Sequence, residues 1–532
     1  MIKCASNNLP HSTAPQFGEW IPHTPRPSNA PWDIAMRYVR TIRHLEPIQI
    51  YSRVCPRVAL PHTAVPAKLR PGSGPWAEPI LRRTSQTAAN RFRFLNEERE
   101  IRTWNENAFP KLWLYNLHYF EYVDLPLVER WIDENDVGRG VGWEPYPTSL
   151  RIANWCKWLL NGGHGTAKMY ESLAMQAAWL ERRVERHLLA NHVLANAKAL
   201  LFAGTALECS ASHRWQTIAR DVLEEELPRQ ILSDGAHVER SPMYHSIVLE
   251  DLLDIANLNN AYHLHLPQLS SCIPRMLRWL QHMTHPDGEI ALFNDACIGI
   301  APNPCVLLEY AARLGFEPAA LLLGDSGYVR LENSNSAVIV DAGVLGPDYQ
   351  PGHGHSDTLS FELSHRRKRL IVNSGTSTYE ADSVRAFERS TAAHNTVRVD
   401  HLDQSELWAV FRVARRARPY GLQTDHETFV EAAHDGYHRL RPKVTHRRRL
   451  VLLADSLTIT DQLEGYGEHN VEVFFHLAPG AEPELLLDPK LDYSIEPCCY
   501  SVGWNSRLLN RVIIGTWRGT CPVEFVSHVR LP

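Results

Sequence analysis

The stretch GYVRLENSNSAVIVDAG, Gly327 to Gly343, decides how the chain is read. Two strand-length runs, YVRLE and SAVIV, are joined by polar turn residues, and the second is β-branched. Alternation at period two with a turn between the runs predicts paired antiparallel strands. The residues before this point follow a different period.

From about Trp104 to Gly315 the apolar residues recur every three or four positions. In MYESLAMQAAWLERRVERHLLANHVLANAKALLFAG, Leu180, Val184 and Leu188 keep that interval and Leu194 continues the apolar series, which predicts amphipathic helix. SIVLEDLLDIANLNNAYHL and CIPRMLRWLQHM repeat the pattern. After Gly327, HSDTLSFELS, RLIVNSGTS, HNTVRVD, RRRLVLLADSLTITDQL and VEVFFHLA are short, turn-bounded and strand-like, as in an antiparallel sandwich. A helical half followed by a β half predicts an α+β multidomain chain. The expected divisions are a Pro-rich region with short helices and extended connections (1–100), a helical domain (101–320) and a β domain (321–532).

At 532 residues the chain exceeds what one hydrophobic core organises. Its 44% hydrophobic and 22% charged residues and formal charge of -5 are those of a globular protein, and no polybasic segment points to nucleic acid. No apolar run is long enough to span a bilayer. The N-terminus lacks the apolar core of a secretory signal, which predicts a cytoplasmic chain. Ten cysteines without CxxC spacing suggest neither a disulfide framework nor a zinc ribbon.

Four polar constellations stand out. Asn191 and His192, in NHVLANAK, sit inside a helical pattern that Asn does not favour, so either packing or function accounts for them. In ERSPMYH, Ser241 and Pro242 read as helix cap and first helical residue, which puts Tyr244 and His245 in a first turn where the helix dipole favours an anion. PGHGHSDTLSFEL (Pro351–Leu363) places His353, His355 and Asp357 at strand spacing ahead of Leu359, Phe361 and Leu363. Finally, GWEPYPTSLRIANWCKW gathers Trp143, Tyr146, Arg151, Asn154 and Trp155, which reads either as a sugar-stacking, carboxylate-pairing wall or as a Trp-rich core face.

Taken in order, NLHYF, PTSLRIANW, NHVLANAKAL, ERSPMYH, HPDGEIALFND, PGHGHSDTLSFEL, VNSGTSTYE and STAAHNTV resemble the heparinase II/III-like polysaccharide lyases. The resemblance implies an N-terminal incomplete (α/α) toroid followed by a C-terminal antiparallel β-sandwich. It implies β-elimination at a uronic acid, with Asn191 and His192 neutralising the uronate carboxylate and Tyr244 and His353 exchanging protons with C5 and O4. Trp143, Tyr146, Arg151, Asn154, Trp155, His245, Arg385 and Arg389 would bind an acidic polysaccharide or oligosaccharide. His355, Asn373 and His394 fall on the family's zinc position, which implies one structural zinc ion and no organic cofactor. Many relatives carry Asp where Asn373 stands. Asp357 would orient a histidine.

The phenol of Tyr244 would need a neighbouring Arg or His, or the helix dipole, to lower its pKa before it acted as a base. The family resemblance implies a periplasmic enzyme, against the cytoplasmic reading of the N-terminus. Two rivals remain at this level: a glycoside hydrolase using Asp234 and Glu239 as an acid/base pair, and a non-catalytic polysaccharide-binding or assembly protein of an exopolysaccharide pathway.

Overall fold

The computed structural model describes residues 30–54, 66–80, 82, 84–320 and 324–531. Most of the predicted Pro-rich region is short elements or lies outside the described residues. Helices Pro31–Ile42 and Pro47–Val54 each open on a proline, and a small sheet follows at Gln86–Ala88, Arg91–Phe94 and Glu97–Glu100. The first two helices are tied to the rest of the chain. Arg37 and Arg40 meet Glu406, and the Gln49 amide reaches the carbonyls of Leu188 and Tyr349.

The helical domain follows as consecutive helices from Lys111–Tyr119 to Pro304–Arg313. The long run Met169–Gly204 is two helices, not one. Ala167–Leu180 and Ala190–Ala206 are separated by a tight connection that ends in left-handed backbone, with Leu189 at φ 64° and Ala190 at φ 51°. Non-glycine residues rarely hold this conformation, so packing must sustain it. Leu189 and Ala190 are buried accordingly. Asn191 and His192 thereby stand in a first helical turn, not in a helix interior. Pro242–Tyr262 starts as its sequence predicts: Ser241 Oγ accepts from the Tyr244 N–H at 3.2 Å, and Pro242 occupies the first turn.

The β domain is one continuous antiparallel ladder folded into two layers. Two long strands, Ser456–Leu477 and Ser506–Arg530, pair along most of their lengths, with an irregularity between Leu463 and Gly467. The first half of Ser456–Leu477 also pairs with Val444–Leu452, and its second half with Val397–Val399 and Ile371. Tyr328–Glu332, Ser336–Asp341, Phe361–His365 and Lys368–Ile371 form the run predicted from Gly327 onward. The apolar faces of these strands share one core, including Val338, Phe361, Leu363, Val397, Phe475 and Val529. A helical half followed by this sandwich is the architecture expected.

One strand is shorter than its alternation suggests. Regular pairing begins only at Phe361, so His353, His355 and Asp357 lie on the loop that leads into the strand. The two halves are joined by shared core: Val372, Ala478, Tyr500, Val502 and Trp504 pack into the helical cluster, and Ile298 forms a bridge to Gly503. The loop Pro351–Ser360 sits along this seam.

Candidate active site

A cavity of about 970 Å³ opens between the two halves. Asn191, His192, Tyr244, Tyr146 and Asn154 reach it from the helical side, and His353, Tyr379, Phe411 and Trp504 from the β side. Sequence motifs far apart in the chain therefore meet on one surface.

Tyr244 and His353 stack with ring centroids 3.9 Å apart, and the Tyr244 and Tyr379 hydroxyls are 3.1 Å apart. Burial and then the Asp295 charge push the Tyr244 phenol well above its ordinary range, so it is a neutral hydroxyl. This reverses the expectation of a lowered phenol, because no cation near it outweighs the loss of solvent.

Asp295 organises the β side. Burial works against its charge, but the Arg385 guanidinium and hydrogen bonds from His353 and His355 hold its pKa well below the usual carboxylate range. An ionised carboxylate only accepts, so both imidazoles donate to it. His353 Nδ1 bonds Asp295 Oδ2 at 2.9 Å, and His355 Nε2 bonds Oδ1 at 2.8 Å. Arg385 bridges both oxygens from beneath, with Nη2 at 2.8 Å from Oδ2. The orienting carboxylate is thus Asp295, at the end of HPDGEIALFND. Asp357 instead accepts the Asn294 N–H at 3.1 Å, and burial raises its pKa to about 6.

Glu239 joins the two walls. Its Oε1 accepts the Asn191 side-chain amide at 2.7 Å and the Asn191 N–H at 3.1 Å, while Oε2 lies 3.5 Å from His353 Nε2. Burial opposes its charge, yet His353, His237 and the two Asn191 bonds outweigh it, and its pKa falls. Because Glu239 is an acceptor only, Asn191 must turn its NH₂ group toward it. His192 stacks on Tyr146 and lies 3.3 Å from Glu185. Burial disfavours its charge, but Glu185 prevails and its pKa rises.

Several expected site residues lie elsewhere. Trp143, Trp155 and Arg151 are core: both indoles pack at 5.9 Å against Trp131, and the Arg151 guanidinium lies 3.9 Å from the same ring. Arg151 donates to Gln176 and to the His118 carbonyl and does not line the cavity; its Nη2 is buried with no hydrogen-bond partner among the described residues. His245 is buried and kept neutral, its pKa lowered by burial to about 3, between the His237 N–H and the Met276 carbonyl. Arg385 and Arg389 are buried, not an exposed wall. Arg385 is spent on Asp295, and Arg389 donates to the carbonyls of Gly354, Ala409 and Val410, which pins the loop carrying His353.

The hydrolase pair does not assemble. Asp234 is held by Ser326 and the Ala236 N–H and lines a separate cavity, and Glu239 lies behind Asn191. Tyr379 and Asp295 were missed as site residues; both lie within motifs already quoted, VNSGTSTYE and HPDGEIALFND, whose single polar residues give no clue to their partners.

His355 and His394 can be tested as metal ligands. Burial lowers the His355 pKa to about 4 and that of His394 further below the ordinary value, so both rings are neutral. His355 donates through Nε2 to Asp295, and His394 Nδ1 lies 3.2 Å from the Asn373 carbonyl oxygen, which leaves His355 Nδ1 and His394 Nε2 unprotonated. Both nitrogens are buried with no hydrogen-bond partner among the described residues, and the rings are 5.3 Å apart. Two bare imidazole nitrogens, one ring held by a carboxylate, supply two of the donors a zinc ion would take, and among the described residues no group of three or more His, Cys, Asp or Glu side chains is placed to hold a metal. The Asn373 oxygen is already engaged by His394, so here it supports a histidine and is not free as a third ligand.

Comparison with known proteins matches two stretches of the chain. Residues 166–303 match the heparinase II/III N-terminus and residues 317–493 the heparinase II/III-like C-terminal domain. The chain belongs to the heparinase II/III-like family. It is 24% identical over 319 residues to a heparin-sulfate lyase of Bacteroides stercoris, covering 54% of this chain and 46% of the relative. Against a heparin-sulfate lyase of Bacteroides thetaiotaomicron it is 22% identical over 363 residues, covering 56% and 47%. The chain thus spans about half the length of the curated relatives it matches. A solved heparinase III superposes with a TM-score of 0.62 at 17% identity, covering 79% of this chain and 76% of that one. A heparan sulfate lyase mutant of Pedobacter heparinus gives 0.58 at 16% identity, covering 83% and 81%. At these identities the family's structures establish the shared fold, a toroid followed by a sandwich.

Proposed function

We propose that this heparinase II/III-like chain is a polysaccharide lyase that cleaves a uronate-containing polymer by β-elimination. One observation carries the reading: Asn191, Tyr244 and His353 converge on a single cavity, with His353 oriented by Asp295 and linked to Asn191 through Glu239. The named activities of the relatives point the same way. A bacterial exopolysaccharide is the polymer class we favour, and a periplasmic site of action accords with the family.

Elimination needs three things. The uronate carboxylate must be stabilised as the C5 proton becomes acidic, and Asn191, with His192 beside it, supplies donors for that charge. The base is His353: with Nδ1–H fixed on Asp295, Nε2 is the nitrogen that takes the C5 proton, and the imidazolium formed lies between two carboxylates. The acid is the neutral phenol of Tyr244, which protonates O4 as the C4–O4 bond breaks and the C4=C5 bond forms. The phenolate and imidazolium that remain are stacked on one another, so returning the proton from His353 to Tyr244 restores the resting state.

A zinc ion would be held by His355 and His394 and would brace the loop and strands behind His353. No proton passes through it in this scheme.

The test is incubation with a panel of uronate polysaccharides while following near-ultraviolet absorbance. An unsaturated uronate absorbs there and a hydrolysis product does not. Chain cleavage without that absorbance rejects elimination.

A further inference from the structure

The charge in the cavity wall says more about the polymer. Among the described residues five Arg and Lys side chains line it, and each is already neutralised from within the protein. Arg82 meets Glu250 at 2.8 Å, Arg93 meets Glu98 at 3.1 Å and Lys111 meets Glu144 at 2.9 Å. Deeper in, Lys157 meets Asp254 at 2.9 Å, and Lys198 meets Asp251 at 2.7 Å and Asp254 at 2.6 Å.

The remaining charge is negative. Glu121 shares Arg82 with Glu250 at 4.0 Å, and Glu380 lines the cavity with no cationic partner among the described residues. Among the described residues a sulfate group entering this wall would find no spare guanidinium or ammonium and would meet carboxylates in a partly desolvated space, where like charges repel more strongly than in water. Neutral sugars meet a better match, because Tyr115, Tyr122, Tyr146 and Trp158 offer ring faces to pyranose C–H groups.

We infer that the polymer bound here is unsulfated, with neutral sugars on either side of the uronate that reacts. Only one anionic group per reacting unit, the uronate carboxylate, is provided for, by Asn191 and His192. This inference rests on the lyase reading above.

The test takes the uronate polymer that yields the unsaturated product fastest and compares it with the same polymer after chemical O-sulfation. The expected result is a fall in kcat/KM of at least roughly tenfold on sulfation, partly recovered by added salt, since salt screens charge repulsion. Equal or faster cleavage of the sulfated polymer overturns the inference and leaves the lyase reading standing. A tenfold fall that salt does not relieve also overturns it, because the obstacle is then shape and not charge. Absence of unsaturated product from every polymer in the panel rejects the lyase reading, and this inference with it.

Discussion

The Asn191 side-chain amide donates to Glu239 Oε1 at 2.7 Å, and the second oxygen of that carboxylate lies 3.5 Å from His353 Nε2. A single buried acid therefore sets the orientation of a group on the helical wall and the electrostatics of one on the β wall. Glu239→Gln keeps the shape and an acceptor oxygen for the Asn191 amide, but removes the negative charge beside His353 Nε2. The expected result is a kcat lower by roughly 10- to 100-fold, with the pH dependence of kcat displaced and the thermal midpoint little changed. A purely structural Glu239 would lower the midpoint and leave the pH profile where it was.

Tyr244→Phe removes the proton given to O4 and little else, since the Tyr379 hydroxyl is the only hydrogen-bond partner of that phenol among the described residues. Turnover should fall by about 10²–10⁴ while oligosaccharide affinity, measured by calorimetry, stays within a few-fold. Retained turnover would reassign the acid.

His353 and His355 share Asp295 but face different tasks. His353→Ala should abolish unsaturated-product formation with the fold intact. His355→Ala should mainly lower stability. Asp295→Asn should do both, because Arg385 is left buried without its counter-ion; breaking a buried pair in this way costs about 3–5 kcal/mol. Denaturant melts alongside product assays separate the three outcomes.

Zinc added to metal-free protein should raise the thermal midpoint, and His394→Ala should remove the effect, because the bare Nε2 is lost. Equilibrium dialysis with zinc alone gives the same answer without any assay of activity. An undiminished response in His394→Ala would place the ion elsewhere.

Stability should fall on mild acidification. Burial lowers the pKa of His118 and His245 to about 3 and of His355 and His476 to about 4. The unfolded chain binds these protons near pH 6.5 and the folded chain only near pH 3–4, so stability is lost as pH drops through that interval. At pH 5 each such group contributes a loss on the order of 1–2 kcal/mol. Buried carboxyls held above their ordinary range, Asp341 and Asp357 among them, oppose this, but the histidines lowered by burial, including His237, His282, His394, His434 and His446, outnumber them. Thermal melts at about pH 7.5, above the interval, and about pH 5, within it, should show a clear drop; a flat response would mean that these rings are not buried.

Much of this protein was legible in its residues. Local periodicity separated the helical half from the sandwich at Gly327, because helices and strands repeat at different intervals. Ser241 and Pro242 announced the start of the helix carrying Tyr244, since a cap is a local hydrogen bond. The motifs also named Asn191, Tyr244 and His353. What they did not carry was direction. Trp143, Arg151 and Trp155 have the same composition whether they line a cleft or fill a core, and only packing around Trp131 turned them inward. His353, His355 and Asp357 kept strand spacing, yet the strand begins at Phe361, so alternation did not govern where their side chains point. Asp295 and Glu239 became the organisers of the site because folding brought them within hydrogen-bonding distance of residues about fifty to ninety positions away. Long-range charge and hydrogen-bond pairing is a property of the assembled seam between the two halves, and no local pattern in the chain encodes it.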